Sequence, residues 1–163
     1  MSETAASGQE PAFIEVGEGR EARRIAVRAR AGGASSAPGL VWLGGFKSDM
    51  TGTKALALDA WAAEHGRSCV RFDYSGHGES GGEFADGTIG RWLEESVAVF
   101  SQFCSGSQVV IGSSMGGWMA LLLAREIARR GGRKAQLAGL GAVPEMLGLR
   151  CRFWFRARWL GHG

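Results

Sequence analysis

The sequence predicts an α/β fold, a mostly parallel sheet with helices on both faces. Short apolar runs alternate three times with longer segments whose apolar residues recur at helical spacing. Strands that are apolar throughout are typical of parallel sheets covered on both faces. Each run also leads into a loop that contains glycine. Because right-handed crossovers bring such loops to the carboxyl edge of the sheet, we expect ligands to bind there.

A hairpin is predicted before the alternation begins. Residues 1–11 are small and polar, and we expect them to be disordered. The segments 13–16 and 24–29 are rich in strand-forming residues and are separated by a glycine-containing turn. This pattern predicts two antiparallel strands.

The first two strand–helix units follow the hairpin. Residues 40–43 and 68–72 predict strands. The helix after the first strand is expected to run from Lys54 to His65, and Thr88 can cap the helix after the second. The predicted apolar faces are Leu58, Trp61, Ala62 and His65 in the first helix, and Ile89, Trp92, Leu93, Val97 and Phe100 in the second.

The third unit contains the most informative motif. An apolar run at 109–111 enters the pentapeptide Gly112-Ser113-Ser114-Met115-Gly116, and a long apolar run follows. We expect the helix to stop at Gly131 and a last strand, weakened by its glycines, at 137–143.

A Gly-x-Ser-x-Gly motif between a strand and a helix is typical of a nucleophile elbow. Its sharp turn holds Ser114 in a strained backbone conformation and exposes it at the edge of the sheet. Gly112 and Gly116 leave room where a Cβ would collide with a neighbouring element. The alternative is an ordinary glycine-rich turn, since the chain has 27 glycines. The flanking strand and helix favour the elbow.

The distribution of charge along the chain argues against a nucleic-acid-binding domain. The 163 residues carry a net charge of +3. The first 124 residues hold 10 basic and 14 acidic side chains, whereas the last 39 hold 9 basic and 2 acidic ones. Because the positive charge is confined to the end of the chain, nucleic-acid binding by the whole domain is not expected.

The expected location is the cytoplasm. The first thirty residues lack the apolar core of a signal peptide, and no apolar run approaches the roughly 20 residues that span a bilayer. The three cysteines are an odd number without metal-ligand spacing, which favours free thiols in a reducing compartment. Neither a metal nor a cofactor is predicted.

Three stretches of the sequence together resemble the α/β-hydrolases. They are residues 44–56, 71–80 and 112–118, within a region of resemblance that covers residues 40–124. In particular, they are similar to the mitochondrial-type palmitoyl-protein thioesterases of the abhydrolase group and their bacterial relatives.

The resemblance implies transfer of an acyl group to water from a small-molecule ester or thioester, without a cofactor. Ser114 would be the nucleophile. The N–H groups of Phe46 and Met115 would form the oxyanion hole, and the Phe46 ring would be free to line the acyl pocket.

The base and the acid of the catalytic triad are hard to assign. In this fold they follow the serine in the order acid, then histidine. After Ser114 the only acids are Glu126 and Glu145, and the only histidine is His162. His162 is therefore the candidate base by chain order.

The other two histidines are weaker candidates for the base. His77 lies at the correct edge but too early in the chain, and His65 ends a helix at the opposite edge, where a capping or core role is expected. Asp73, at the end of a predicted strand, is expected to organise the loop at 76–78 through hydrogen bonds to backbone N–H groups.

The resemblance stops near residue 140. Residues 144–163 form a basic, aromatic tail where the family has further strands. We therefore expect a partial hydrolase domain at 12–143, lacking its carboxyl-terminal strands, in a truncated or frameshifted chain.

The alternative to a working esterase or thioesterase is a catalytically silent hydrolase-like fragment or binding module, which could self-associate through an exposed sheet edge. The tail is a separate question. It is expected to be out-of-frame or poorly ordered sequence, and the alternative is a segment that binds a membrane surface or a nucleic acid.

Overall fold

The computed structural model describes residues 10–33, 37–131 and 135–143, and in the last of these ranges it describes the backbone only. These residues form one sheet of six strands in the order β1-β2-β4-β3-β5-β6. The strands are β1 (Ala12–Val16), β2 (Arg23–Arg30), β3 (Gly39–Leu43), β4 (Cys69–Phe72), β5 (Gly106–Ser113) and β6 (Ala135–Val143). The last four are mutually parallel, whereas the β1–β2 hairpin is antiparallel and joins β4 at one side. The predicted hairpin and the mostly parallel sheet are confirmed.

Three α-helices cover the two faces of the described sheet. They are α1 (Thr53–Glu64), α2 (Ile89–Phe103) and α3 (Met115–Arg129). On one face, Ala62 of α1 packs on Leu40 and Cys69. On the other face α2 and α3 enclose the larger core, which includes Val41 and Phe72. Neighbouring residues of β3 and β4 thus point into different cores, which explains why these strands are buried along their whole length.

The predicted apolar faces of the helices are only partly correct. In α2, Thr88 caps the helix by accepting a hydrogen bond from the Arg91 N–H at 3.2 Å, but Ile89 is 38% exposed. In α1, Trp61 is 41% exposed and stacks on His65, with ring centroids 4.0 Å apart. The residues of α1 that are buried are Ala55, Asp59 and Ala62.

The polar residue Asp59 is buried because two arginines of the sheet neutralise it. Arg30 of β2 donates to both carboxylate oxygens, at 2.9 and 2.7 Å, and Arg71 of β4 donates to one of them at 3.2 Å. Arg71 also donates to the Met50 carbonyl at 2.8 Å. Burial alone would raise the pKa of the Asp59 carboxyl, but the two guanidinium groups outweigh it and hold the pKa below its ordinary value. The ion pairs therefore hold α1 on the sheet.

We predict that Asp59→Asn destabilises the fold by about 3 kcal/mol at pH 7, because it leaves the buried Arg71 guanidinium without its counter-charge. Urea denaturation measures the loss, and Glu64→Gln on the exposed side of α1 is the matched control.

The pH dependence of this loss has a definite sign. The lowered pKa of Asp59 stabilises the native state above the ordinary carboxyl pKa of about 4, and this stabilisation is lost as the pH falls through the lower, native value. The difference between wild type and Asp59→Asn should therefore shrink in acid. A difference that stays constant from pH 7 to pH 3 would contradict the account.

Candidate active site

The turn between β5 and α3 holds Ser114 in an unusual conformation. Its φ is 52° and its ψ is −116°, and the residue is exposed. Positive φ in a residue with a Cβ costs roughly 1–3 kcal/mol and marks functional sites more often than ordinary turns. The Gly117 N–H donates to the Ser114 carbonyl at 2.9 Å, so the helix begins directly at this residue.

Gly112 and Gly116 permit the close contacts on which this turn depends. A Cβ on Gly112 would lie 2.0 Å from the Gly116 carbonyl oxygen. A Cβ on Gly116 would lie 2.0 Å from the carbonyl oxygen of Leu43, at the end of β3. The first turn of α3 is thus packed between the ends of two strands, which no side chain larger than hydrogen would allow.

The loop after β3 passes beside Ser114. A Cβ on Gly45 would lie 3.6 Å from the Ser114 Cβ. The next residue is Phe46, and neither its N–H nor the Met115 N–H donates a hydrogen bond to any described residue. Free backbone N–H groups next to a serine are the donors that an oxyanion hole requires.

Residues 45–48 form a β-turn that carries the Phe46 N–H. The Ser48 N–H donates to the Gly45 carbonyl at 3.1 Å, and Lys47 has a φ of 57°. A positive φ at the third residue of the turn, with Phe46 at negative φ, identifies a type II turn, where glycine is preferred. Lys47 and Ser114 are the two non-glycine residues with positive φ in the described part of the chain.

Aromatic rings surround this turn. The half-exposed Phe46 ring meets the Phe84 ring edge-on, with centroids 5.1 Å apart, and Trp92 lies at 6.4 Å. The Lys47 ammonium lies 5.4 Å from the centroid of the Phe84 ring. An open cavity of about 190 Å³ adjoins the turn and is lined by Lys47, Ser48, Asp49, Gly76, His77, Gly78 and Phe84. Ser114 is not among the residues that line this cavity.

Asp73 connects the loop after β4 to the loop after β3. Its buried carboxylate accepts hydrogen bonds from the Met50 N–H at 2.6 Å and from the Glu79 N–H at 2.9 Å. Burial raises the pKa of this carboxyl although both backbone N–H groups favour its charged form. The Asp73 side chain also fills the space over Gly78, whose added Cβ would lie 2.1 Å from it. Asp73 thus supports the glycine loop as predicted, but through the N–H groups of Glu79 and Met50 and not through those of residues 76–78.

A buried ion pair that the sequence did not reveal holds the start of the same loop. Glu95 of α2 is fully buried and accepts hydrogen bonds from the Arg23 Nε at 2.6 Å, the Ser75 Oγ at 2.6 Å and the Ser75 N–H at 2.9 Å. Glu95 lies three residues after Trp92, within the apolar face of α2, and this position was the one feature of the sequence that could have indicated its burial. The pair joins the hairpin, α2 and the loop after β4.

His77 is buried, and both of its ring nitrogens are engaged. Nε2 lies 3.2 Å from the Lys47 backbone nitrogen, and Nδ1 lies 3.1 Å from the Ser75 carbonyl oxygen. An imidazole with both nitrogens occupied has no lone pair to offer Ser114. The structure therefore does not support His77 as the catalytic base.

His65 lies at the far end of α1, where its Nδ1 is 2.8 Å from the Trp61 carbonyl oxygen. It acts as an exposed cap, in keeping with the capping role expected for it, and not as a core residue. His162 lies outside the described residues, as do the whole of the predicted tail at 144–163 and most of the predicted disordered segment at 1–11.

Glu126 is positioned for structure and not for catalysis. It lies twelve residues after Ser114 along α3, which corresponds to roughly 18 Å at a rise of about 1.5 Å per residue. Hydrogen bonds from Arg129 and Arg130 lower the pKa of its carboxyl to about 2. Glu145 lies outside the described residues. The structure therefore brings Ser114, Phe46 and Met115 together, but it brings no acid–histidine pair to them from the described residues.

The strand order, the elbow between β5 and α3 and the helices on both faces define an α/β-hydrolase-type fold. A crystal structure of a candidate hydrolase from Agrobacterium vitis superposes with a TM-score of 0.80 and 50% sequence identity, over 83% of this chain and 52% of that one. Mouse α/β hydrolase domain-containing protein 10 superposes with a TM-score of 0.65 and 30% identity, over 80% of this chain and 49% of that one.

The sequence also identifies particular relatives within that class. Over 84 residues the chain is 41% identical to the mitochondrial palmitoyl-protein thioesterase ABHD10 of Homo sapiens and to that of Pongo abelii. This match covers 52% of the chain and 28% of each relative. No protein-family model matches. The relationship to the α/β-hydrolases that the motifs indicated is confirmed, and the chain spans about half the length of its structural relatives.

Other features of the described residues concern cysteines, metals and membranes. Cys69 and Cys104 are free thiols, and burial raises the pKa of each to about 12. Within 10–33, 37–131 and 135–143, no group of three or more His, Cys, Asp or Glu residues could hold a metal ion. No helix in these ranges has the length and apolar character needed to cross a bilayer.

Gly116→Ala should destabilise the protein by about 2 kcal/mol or more, because its methyl group would overlap the Leu43 carbonyl oxygen. Gly90→Ala in α2 is the matched control, since a Cβ there would meet only the Thr88 Oγ1, at 3.9 Å, and alanine favours a helix by roughly 0.5–1 kcal/mol. Thermal unfolding of both variants measures the difference. Equal melting temperatures for the two would contradict the packing account.

Proposed function

We propose that this chain is a serine hydrolase that cleaves small-molecule carboxylic esters or thioesters through an acyl-enzyme on Ser114. The observation that carries the proposal is the exposed Ser114 at positive φ, flanked by two backbone N–H groups that no described residue uses. The relatives that match the sequence are named as palmitoyl-protein thioesterases. The half-exposed Phe46 ring supports an acyl substrate, since it offers an apolar surface on the loop that passes beside Ser114.

The proposed reaction proceeds in two stages. The Ser114 hydroxyl attacks the acyl carbon and transfers its proton to a base, and the developing oxyanion accepts hydrogen bonds from the Phe46 and Met115 N–H groups. As this intermediate collapses, the protonated base gives its proton to the departing alcohol or thiol, and an ester is left on Ser114. The base then takes a proton from a water molecule that attacks this ester, and it returns the proton to the Ser114 oxygen as the acid is released. Loss of one such oxyanion donor typically costs about 100- to 1000-fold in rate.

We propose His162 as the base, because it is the histidine that follows Ser114 in the chain. A base must come within about 3 Å of the serine hydroxyl. His162→Ala should therefore abolish acylation of Ser114.

A second candidate function is a silent hydrolase-like module that binds without catalysis. It is favoured by one observation, that no acid and no free histidine of the described residues reaches Ser114. Under this alternative the β6 side of the sheet would offer an edge for self-association, because β6 pairs only with β5 among the described strands.

The proposal includes a cytoplasmic location and no nucleic-acid partner. The buried free thiols of Cys69 and Cys104 suit a reducing compartment. Immunofluorescence of a tagged full chain, compared with a mitochondrial marker, tests the location, since the curated relatives are mitochondrial by name.

A fluorophosphonate probe tests the catalytic proposal. Such probes require an activated serine, so we expect stoichiometric labelling of the wild-type chain, with the modified peptide containing Ser114. Ser114→Ala should not react. Ser107→Ala is the matched control, because Ser107 is exposed on the same strand at its opposite end. Failure to label a folded wild-type sample would favour the silent module.

A further inference from the structure

We propose that His77 is a positioning residue that anchors the oxyanion turn, residues 45–48, in its place beside Ser114, and with it the Phe46 N–H. This inference rests on the proposed function of Ser114 and Phe46. It assigns to His77 a part in catalysis that is neither base nor ligand, exerted through the Lys47 backbone.

The two partners of His77 dictate one tautomer of its ring. The Lys47 backbone N–H can only donate, so Nε2 at 3.2 Å must accept. The Ser75 carbonyl can only accept, so Nδ1 at 3.1 Å must carry the proton. Both contacts therefore require the same neutral imidazole, with its proton on Nδ1.

The ring is held in this orientation by its surroundings. It is buried, with 5% of its surface exposed. The rings of Phe84, Trp92 and Tyr74 meet it edge-on, with centroids 5.2, 5.3 and 5.7 Å away. An acceptor fixed in this way defines the direction of the N–H group that it binds.

The turn needs such an acceptor because its third residue is a lysine. In a type II turn this residue has positive φ, which lysine disfavours, whereas the related type I turn would return it to negative φ. The change from type II to type I rotates the peptide between Phe46 and Lys47, which consists of the Phe46 carbonyl and the Lys47 N–H, whereas the Phe46 N–H belongs to the preceding peptide. The Lys47 N–H would then turn away from Nε2, and the hydrogen bond would be lost. The His77 contact thus opposes the relaxation that the lysine side chain favours.

The position of the turn explains why this matters for Ser114. Gly45, the first residue of the turn, approaches the Ser114 Cβ, and Phe46 follows it directly. An oxyanion hole accelerates a reaction because its donors are aimed before the charge develops. The His77 hydrogen bond to Lys47 anchors the turn in its place beside Ser114, and this anchoring contributes to the preorganisation of the Phe46 N–H.

The test compares two substitutions of His77. His77→Phe keeps a ring for the aromatic cluster but removes the acceptor, and the Ser75 carbonyl keeps its hydrogen bond from the Trp92 Nε1 at 3.2 Å. His77→Gln places an amide oxygen near the position of Nε2. His65→Phe is the control, since His65 is exposed at the far end of α1.

The first readout needs no catalytic activity. Hydrogen exchange of the Lys47 amide, measured by NMR on the full chain, should be about three- to tenfold faster in His77→Phe than in wild type, the range expected for one lost hydrogen bond. It should return toward the wild-type rate in His77→Gln. Unchanged exchange in a folded His77→Phe variant would overturn the proposal.

The second readout is the rate constant for fluorophosphonate labelling of Ser114. We expect His77→Phe to lower it by about three- to tenfold and His77→Gln to restore most of it. The proposal would be overturned if His77→Phe is labelled at the wild-type rate although hydrogen exchange of its Lys47 amide has become faster. If wild type itself is not labelled, the function proposed for Ser114 fails, and the exchange measurement alone decides whether His77 holds the turn.

A double-mutant cycle separates positioning from general support of the fold. Lys47→Gly removes the side chain that disfavours positive φ, so the turn no longer depends on His77. The decrease in the labelling rate constant of Ser114 that His77→Phe causes should therefore be smaller in the Lys47→Gly background than in wild type. Equal losses in both backgrounds would mean that His77 acts on stability alone, and would overturn the proposal.

Discussion

The site depends on one packing constraint, the contact of the first turn of α3 with the ends of β3 and β5. Gly116 lies against the Leu43 carbonyl and Gly112 lies against Gly116, and neither position has room for a Cβ. This contact brings the Ser114 turn beside the loop that carries Phe46. Packed interiors do not yield to even one methyl group without cost, so the relative position of the two loops is closely determined.

The glycine packing positions the turn at Ser114, and polar contacts hold the backbone of the loops that follow β3 and β4. Asp73 binds the backbone at Met50 and Glu79, His77 binds the backbone at Lys47, and Glu95 binds the backbone at Ser75. Each is a buried side chain that satisfies a loop N–H. The strain at Lys47 and Ser114 is thus supported by neighbours that cannot move independently of the sheet.

The order of the elements was predictable from the sequence because apolar periodicity and glycine position encode it directly. The elbow, the hairpin and the parallel strands follow from local patterns of this kind. The apolar faces of α1 and α2 were predicted less well. Asp59 is buried by arginines from distant strands, a long-range pairing that helical spacing does not express.

The candidate site was predictable only in part, for a similar reason. A motif of five residues locates Ser114, and family resemblance locates Phe46. The role of His77 depends on a turn thirty residues away in sequence, and on a lysine whose φ no propensity would suggest. The sequence does not predict the burial of Glu95, because a charged residue in a helix is usually solvated, whereas here Arg23 neutralises it.

The most direct test of the account is a crystal structure of the full chain after reaction with a phosphonate, which forms a tetrahedral adduct on the serine. The account predicts the adduct on Ser114, with its phosphoryl oxygen about 2.7–3.1 Å from the backbone nitrogens of both Phe46 and Met115. A phosphoryl oxygen that points into solvent, or that binds other donors, would contradict the oxyanion hole and with it the function assigned to this edge of the sheet.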